Sequence, residues 1–221
     1  MEVAILLYDR FTALDCIGPY EVLHNLPGAD VKFVSLDGGV VRADSGRLAI
    51  STDFSIHDVA SPDIVLVPGG PGDEAASADP QIRQWLRDVH QTTKWTTSVC
   101  TGSIILASAG LLDGLEATTH WASFERLAAR GAKPVSRRVV RQGKIITAAG
   151  VSAGIDMALE LTRLEQGDDM AKAIQLGIEY DPAPPFDAGS PAKAPPQVVE
   201  FLRAHFAALE RGPSAPAQAD S

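Results

Sequence analysis

The sequence has little to tie it to metals, nucleic acids or membranes. Only two cysteines occur, Cys16 and Cys100, with no Cys-x-x-Cys, and the five histidines are too scattered to form a local ligand motif, so no metal site is expected. Basic residues are outnumbered, 19 Lys+Arg against 28 Asp+Glu for a net charge of -9. That balance removes the positive footprint that DNA, RNA or an anionic membrane surface would need. No apolar run approaches the ~20 residues of a membrane span. The stretch from Met1 to Asp9 lacks the positive region and cleavage site of an export signal. The chain therefore reads as cytoplasmic, with both cysteines reduced. Pro68-Gly69-Gly70-Pro71-Gly72 lacks the lysine and Ser/Thr of a phosphate loop. The remaining expectation is a small-molecule substrate, bound by one α/β domain.

What is present centres on Trp95-Thr96-Thr97-Ser98-Val99-Cys100-Thr101-Gly102-Ser103-Ile104-Ile105-Leu106. A β-rich run stops at Cys100 and passes through small residues into a helical apolar pattern, which describes a strand-to-helix elbow. A thiol there stands over the free N–H groups and positive end of the following helix, a setting that favours thiolate. Cys100 is therefore read as a nucleophile rather than as a small buried hydrophobe.

Other segments supply its surroundings. Val3 to Tyr8 is a strand buried on both faces, followed by a helix in which Gly18-Pro19 suits the first turn, so that Asp15 falls just before it. Val31 to Leu36 is the second strand, Asp37-Gly38-Gly39 makes a hairpin-like turn from it into Val40 to Arg42, and Leu48 to Thr52 is one more short extended piece. Pro62 to Val67 is a strand ending in the glycine-rich loop. Gly69 and Gly70 there suit either an oxyanion hole completed by the Thr101 amide or a tight turn and nothing more. Asp79-Pro80 caps a helix with Ile82, Trp85, Leu86 and Val89 on one face. His120, before a helix from Ala122 to Ala129, reads equally as an assistant to Cys100 or as a half-buried, hydrogen-bonded histidine. Val135 to Arg141 and Lys144 to Ala148 are strands, and Gly150 follows the second as a small residue at a strand's carboxyl end. Helices follow from Ile155 to Glu165 and from Met170 to Gly177. Between Pro182 and Pro196 lie six prolines. The expected organisation is one domain over residues 1–211, with a proline-rich wrapping loop at 180–196, a C-terminal helix at 197–210 and a disordered tail at 212–221.

Asp15 after the first strand, Val67-Pro68-Gly69-Gly70, and Val99-Cys100-Thr101-Gly102 together resemble the signature of the DJ-1/PfpI superfamily, over Met1 to about Gly177. The resemblance implies a flavodoxin-like three-layer sandwich with a mostly parallel central sheet, a homodimer, and an acidic residue touching the elbow sulfur. Asp15 in place of Glu, Thr101 after the cysteine, and Ile178-Glu179-Tyr180-Asp181-Pro182 are similar to the isonitrile hydratase branch. Regulators with a fused DNA-binding domain share the Cys-Thr-Gly and Thr-His-Trp features. The implied chemistry is hydration of an isonitrile to an N-substituted formamide through a thioimidate, with no cofactor. Cys100 would be the nucleophile, Asp15 the general acid and base, and Thr101 and Gly70 would stabilise the adduct. Rival expectations are DJ-1-like glyoxalase or deglycase chemistry, and a non-enzymatic redox sensor or ligand-binding module built on Cys100.

Overall fold

A computed structural model describes residues 1–210; the tail expected at 212–221 lies outside the described residues. In chain order the strands are β1 (Glu2–Leu6), β2 (Asp30–Ser35), β3 (Gly39–Arg42), β4 (Ala49–Thr52), β5 (Phe54–Ser55), β6 (Ile64–Val67), β7 (Trp95–Val99), β8 (Glu116–Ala117), β9 (Lys133–Pro134), β10 (Val139–Gln142) and β11 (Ile145–Ala148). The helices are α1 (Ala13–Leu23), α2 (Asp73–Ala78), α3 (Pro80–Thr92), α4 (Gly102–Ser108), α5 (Phe124–Ala128), α6 (Ala153–Gln166), α7 (Asp168–Gly177) and α8 (Pro196–Glu210), with a 3₁₀ turn at Trp121–Ser123.

Seven strands form one sheet in the order β10-β11-β7-β6-β1-β2-β5, parallel throughout except for β10 against β11. Leaving aside the two-residue edge strand β5, which pairs parallel to β2, the parallel strands β2-β1-β6-β7-β11 renumbered by appearance run 2-1-3-4-5, the doubly wound flavodoxin-like order, whose direction of winding reverses between β1 and β6. The sequence explains why this pair is central. Val3 to Leu6 and Ile64 to Val67 have no exposed surface at all, as unbroken apolar runs must when helices cover both faces. Helices α1 and α6 pack together in one layer, and α4 packs against α2, α3 and α5 in the other. The expected face of α3 is buried in full, and its Asp79 cap accepts from Gln81 N–H at 2.8 Å and Ile82 N–H at 3.1 Å.

Several expectations need correction. Pro19 lies inside α1 rather than in its first turn, and Asp15 is within the first turn. One missing N–H is tolerated because α1 is held by packing on α6, where Pro19 meets Gly154 and Gly18 meets Ile155. The strand expected over Val135 to Arg141 starts only at Val139, because Val135 instead continues the separate ladder of Lys133–Pro134 with β8, donating its N–H to the Ala117 carbonyl at 2.9 Å. The short α2 and β5 have too few residues to show a period. The chain divides into two compact units, Met1–Asp181 and one beginning at Pro182, which contains α8. Among the described residues no helix is long and apolar enough to cross a membrane.

Candidate active site

The loops after β1, β6, β7 and β11 converge at the carboxyl edge of the sheet, beside the reversal point where ligands bind in open α/β sheets. Cys100 follows β7 with φ of 56°, a left-handed conformation for a non-glycine residue. Strain of this kind costs ~1–3 kcal/mol and persists only where neighbours enforce it. Here the Cys100 N–H donates to the carbonyls of Ala148 and Ala149 at 3.1 and 3.0 Å. Its own carbonyl accepts from the Ser103 and Thr119 hydroxyls at 3.1 and 3.0 Å. The result is a sulfur at the tip of the elbow, on a residue only 6% exposed.

The main-chain N–H groups of Thr101 and Val151 favour the negative form of that sulfur and lower its pKa. Asp15 comes from the first turn of α1. It is fully buried, its Oδ2 accepts from the Gly69 N–H at 2.8 Å, and its Oδ1 makes no well-formed hydrogen bond to any N–H or O–H. The Cys100 thiol is the side-chain group with which this carboxyl pairs electrostatically. Burial raises the Asp15 pKa from 3.8 to about 7, against the lowering effects of the Gly69 N–H and of Cys100. Burial likewise pushes the Cys100 thiol well up, the Asp15 charge adds to this, and the two N–H groups oppose it. The expectation of a thiolate lowered by the elbow is thus corrected. A helix of seven residues and two amides do not outweigh desolvation plus a carboxylate, and the two groups titrate as a coupled pair.

The glycine loop also behaves differently from expectation. The Gly70 N–H donates to Thr101 Oγ1 at 3.0 Å, and the Gly69 N–H is held by Asp15. Neither amide is available to an adduct. The loop's role is to lock the acid and the elbow to each other. A Cβ on Gly69 would lie 2.4 Å from Thr101 N and 2.9 Å from Cys100 Cβ, so only glycine permits this approach. Gly150 makes room for His120, whose Cδ2 would be 2.7 Å from an added Cβ. His120 is mostly buried, and burial lowers its pKa. Its Nδ1 accepts from the Ala122 N–H at 3.4 Å at the start of the 3₁₀ turn. Among the described residues, no group of three or more His, Cys, Asp or Glu is placed to hold a metal ion.

Sequence reasoning missed Val151 and Tyr8. Val151 has φ of 41°, an outlier for a β-branched residue, and its only sequence signal is the turn from β11 into α6. The Tyr8 hydroxyl donates to the Pro68 carbonyl at 2.9 Å. Burial pushes its pKa well up, with the Asp73, Asp15 and Cys100 charges adding. A groove of about 350 Å³ lies elsewhere, between α6 and α7, with no cysteine, serine, threonine or histidine in its lining.

Residues 1–164 match the model of the DJ-1/PfpI family. An isonitrile hydratase of Pseudomonas putida is 42% identical over 203 residues, covering 92% of this chain and 89% of its own. An HTH-type transcriptional regulator of Pseudomonas aeruginosa, CdhR, is 32% identical over 66% of this chain and 43% of its own. The crystal structure of a ThiJ/PfpI family protein from Pseudomonas syringae superposes with a TM-score of 0.91 at 37% identity, covering 95% of this chain and 87% of that one. Drosophila melanogaster DJ-1beta, at 22% identity and a TM-score of 0.74 over 80% of this chain and 97% of its own, shares the fold.

Proposed function

The chain belongs to the DJ-1/PfpI family, and from that premise we propose that it is a cysteine-dependent isonitrile hydratase, a lyase acting without a cofactor. The observation that carries the proposal is the fully buried Asp15 beside the elbow, whose Oδ1 has no hydrogen-bond partner and whose pKa burial raises to about 7, so that it can hold and deliver a proton near neutral pH. An isonitrile carbon carries no leaving group, so it must receive a sulfur and a proton together. Cys100 sulfur adds to the terminal carbon while the Asp15 proton goes to the same carbon, giving the thioimidate R–N=CH–S–Cys and the Asp15 carboxylate. Asp15 then takes a proton from water as its oxygen attacks that carbon, and passes the proton to nitrogen. Collapse of R–NH–CH(OH)–S–Cys expels the sulfur as thiolate, returns the hydroxyl proton to Asp15 and releases R–NH–CHO. The Thr101 and Val151 N–H groups hold the negative sulfur on departure, an effect worth roughly 3 kcal/mol for each such donor.

Burial supports this substrate class. A sulfur on a residue that is 6% exposed is reached more readily by a slender, linear isonitrile terminus than by a branched carbonyl. The identity to the Pseudomonas putida isonitrile hydratase points the same way. We further propose that the protein acts as a homodimer in the cytoplasm, where its two free cysteines would stay reduced. Loss of the isonitrile infrared band, with formamide appearing in step, is the test. Turnover of methylglyoxal without turnover of any isonitrile would overturn the assignment in favour of glyoxalase chemistry.

A further inference from the structure

The Val151 N–H, which favours the Cys100 thiolate, belongs to a turn that needs holding. Val151 sits at φ of 41°, a strain that relaxes unless its flanks are fixed. Before it, the Ala149 carbonyl accepts from Cys100 N–H at 3.0 Å and the Ala149 N–H donates to the Arg138 carbonyl at 2.9 Å. After it, the Val151 carbonyl accepts from Gly154 N–H at 3.3 Å, and the Arg138 guanidinium spans the first turn of α6. Its Nη2 donates to Ser152 Oγ at 3.3 Å and its Nε to Asp156. Arg138 thus grips the turn on both sides, by main chain upstream and by side chain downstream.

A second outlier completes the arrangement. Glu179 adopts φ of 52°, closing α7 in a position where glycine is the usual residue. Its N–H donates to the Leu176 carbonyl at 3.1 Å, and the Tyr180 N–H donates to the Gln175 carbonyl at 3.0 Å. The Gln175 side chain returns a bond to the Tyr180 carbonyl at 3.1 Å. This closure brings Tyr180 beside Asp156 in the α6–α7 groove, where burial and Asp156 raise the pKa of its hydroxyl and Arg138 opposes the rise.

We propose that Arg138, Asp156 and Tyr180 form a clamp on the head of α6 that positions the Val151 N–H on the Cys100 sulfur, so that all three are positioning residues for the nucleophile. The proposal rests on Cys100 as the reactive group and not on the identity of the substrate. As an ordinary ion pair, with Arg138 50% and Asp156 30% exposed, the clamp would contribute little to stability. Its effect is to be read at the sulfur, whose other charged or titratable neighbours are Asp15 and Tyr8.

The test is the rate-against-pH profile of iodoacetamide labelling at Cys100 in the full chain, located by peptide mapping and accompanied by thermal melts. Greater access alone scales the whole profile, whereas loss of an N–H donor to the thiolate moves its midpoint. In Arg138→Gln and Asp156→Asn the midpoint rises by about one pH unit, a tenfold loss of thiolate at a given pH. Arg138→Lys recovers part of the shift. Arg163→Gln, which removes an exposed pairing with Glu160 on the same helix, leaves the midpoint unchanged. A wild-type midpoint in a folded Arg138→Gln, or an equal shift in Arg163→Gln, overturns the clamp. If Arg138→Gln does not fold, Asp156→Asn decides by the same criterion. Because the reagent is not an isonitrile, failure here leaves the hydratase reading intact, and failure to hydrate isonitriles leaves the clamp intact.

Discussion

Replacing Asp15 by Asn removes the titrating group from the centre of the site while keeping its volume and its acceptor for the Gly69 N–H, which Asp15 Oδ2 now takes at 2.8 Å. In the unfolded chain the carboxyl ionises near its ordinary value of 3.8; in the folded protein burial raises it to about 7. Between those pH values the unfolded state has released a proton that the folded state retains. Wild-type stability therefore falls as pH rises through this window, then loses no more above it. At 1.36 kcal/mol for each pKa unit, the full cost is about 4 kcal/mol. Asparagine carries no such cost. It forgoes part of the Gly69 hydrogen bond, worth about 1 kcal/mol, which leaves a net gain of roughly 3 kcal/mol at pH 8 and none near pH 4. For a chain of this size that gain raises the melting temperature by roughly 6–12 °C. Isonitrile turnover should move the opposite way, falling about 10²-fold with loss of the general acid. Urea unfolding of both proteins at the two pH values, with turnover on the same samples, is the assay. A stability difference that is the same at both pH values would refute the burial argument. Wild-type turnover in a folded Asp15→Asn would refute the proton-donor role.

Cys100→Ala should fold and hydrate no isonitrile, and Cys100→Gly should be more stable than Cys100→Ala by about 1 kcal/mol, because glycine alone relieves φ of 56°; equal denaturation midpoints would show that the elbow is unstrained. In the wild type, iodoacetamide should label Cys100 well before Cys16, which is fully buried, donates to the Ala13 carbonyl and has its pKa raised to about 12 by burial and Asp15; equal labelling of the two peptides would contradict this. Gly69→Ala should cost about 1–3 kcal/mol and abolish turnover, since the new methyl would overlap Thr101 N; an active, equally stable variant would mean that the loop yields freely. Thr101→Val leaves the buried Gly70 N–H without its acceptor and should cost about 1–3 kcal/mol in chemical denaturation; no loss would show that water or another carbonyl takes over.

Much of this protein follows from local pattern alone. The apolar runs of β1 and β6, the Asp79 cap and the passage from Trp95 through Cys100 into α4 are written in residue order, because strand burial, capping and turn chemistry each act over a few neighbours. The likeness to the DJ-1/PfpI family was legible at Asp15, Gly69-Gly70 and Cys100-Thr101 for the same reason: each is a short string of residues. What local pattern does not contain is the partner each group finds across the chain. Thus Gly69 and Gly70 were correctly placed at a strand end, but only the approach of α1 and α4 decided that their amides bind Asp15 and Thr101. Val151 and Tyr8 join the site through a main-chain N–H and a hydroxyl, with no sequence mark of their own. The protonation of the pair depends most on tertiary structure. A helix start beside Cys100 is local and favours thiolate, whereas desolvation and the carboxylate of Asp15, 85 residues away in sequence, exist only once the core has closed, and they reverse the balance.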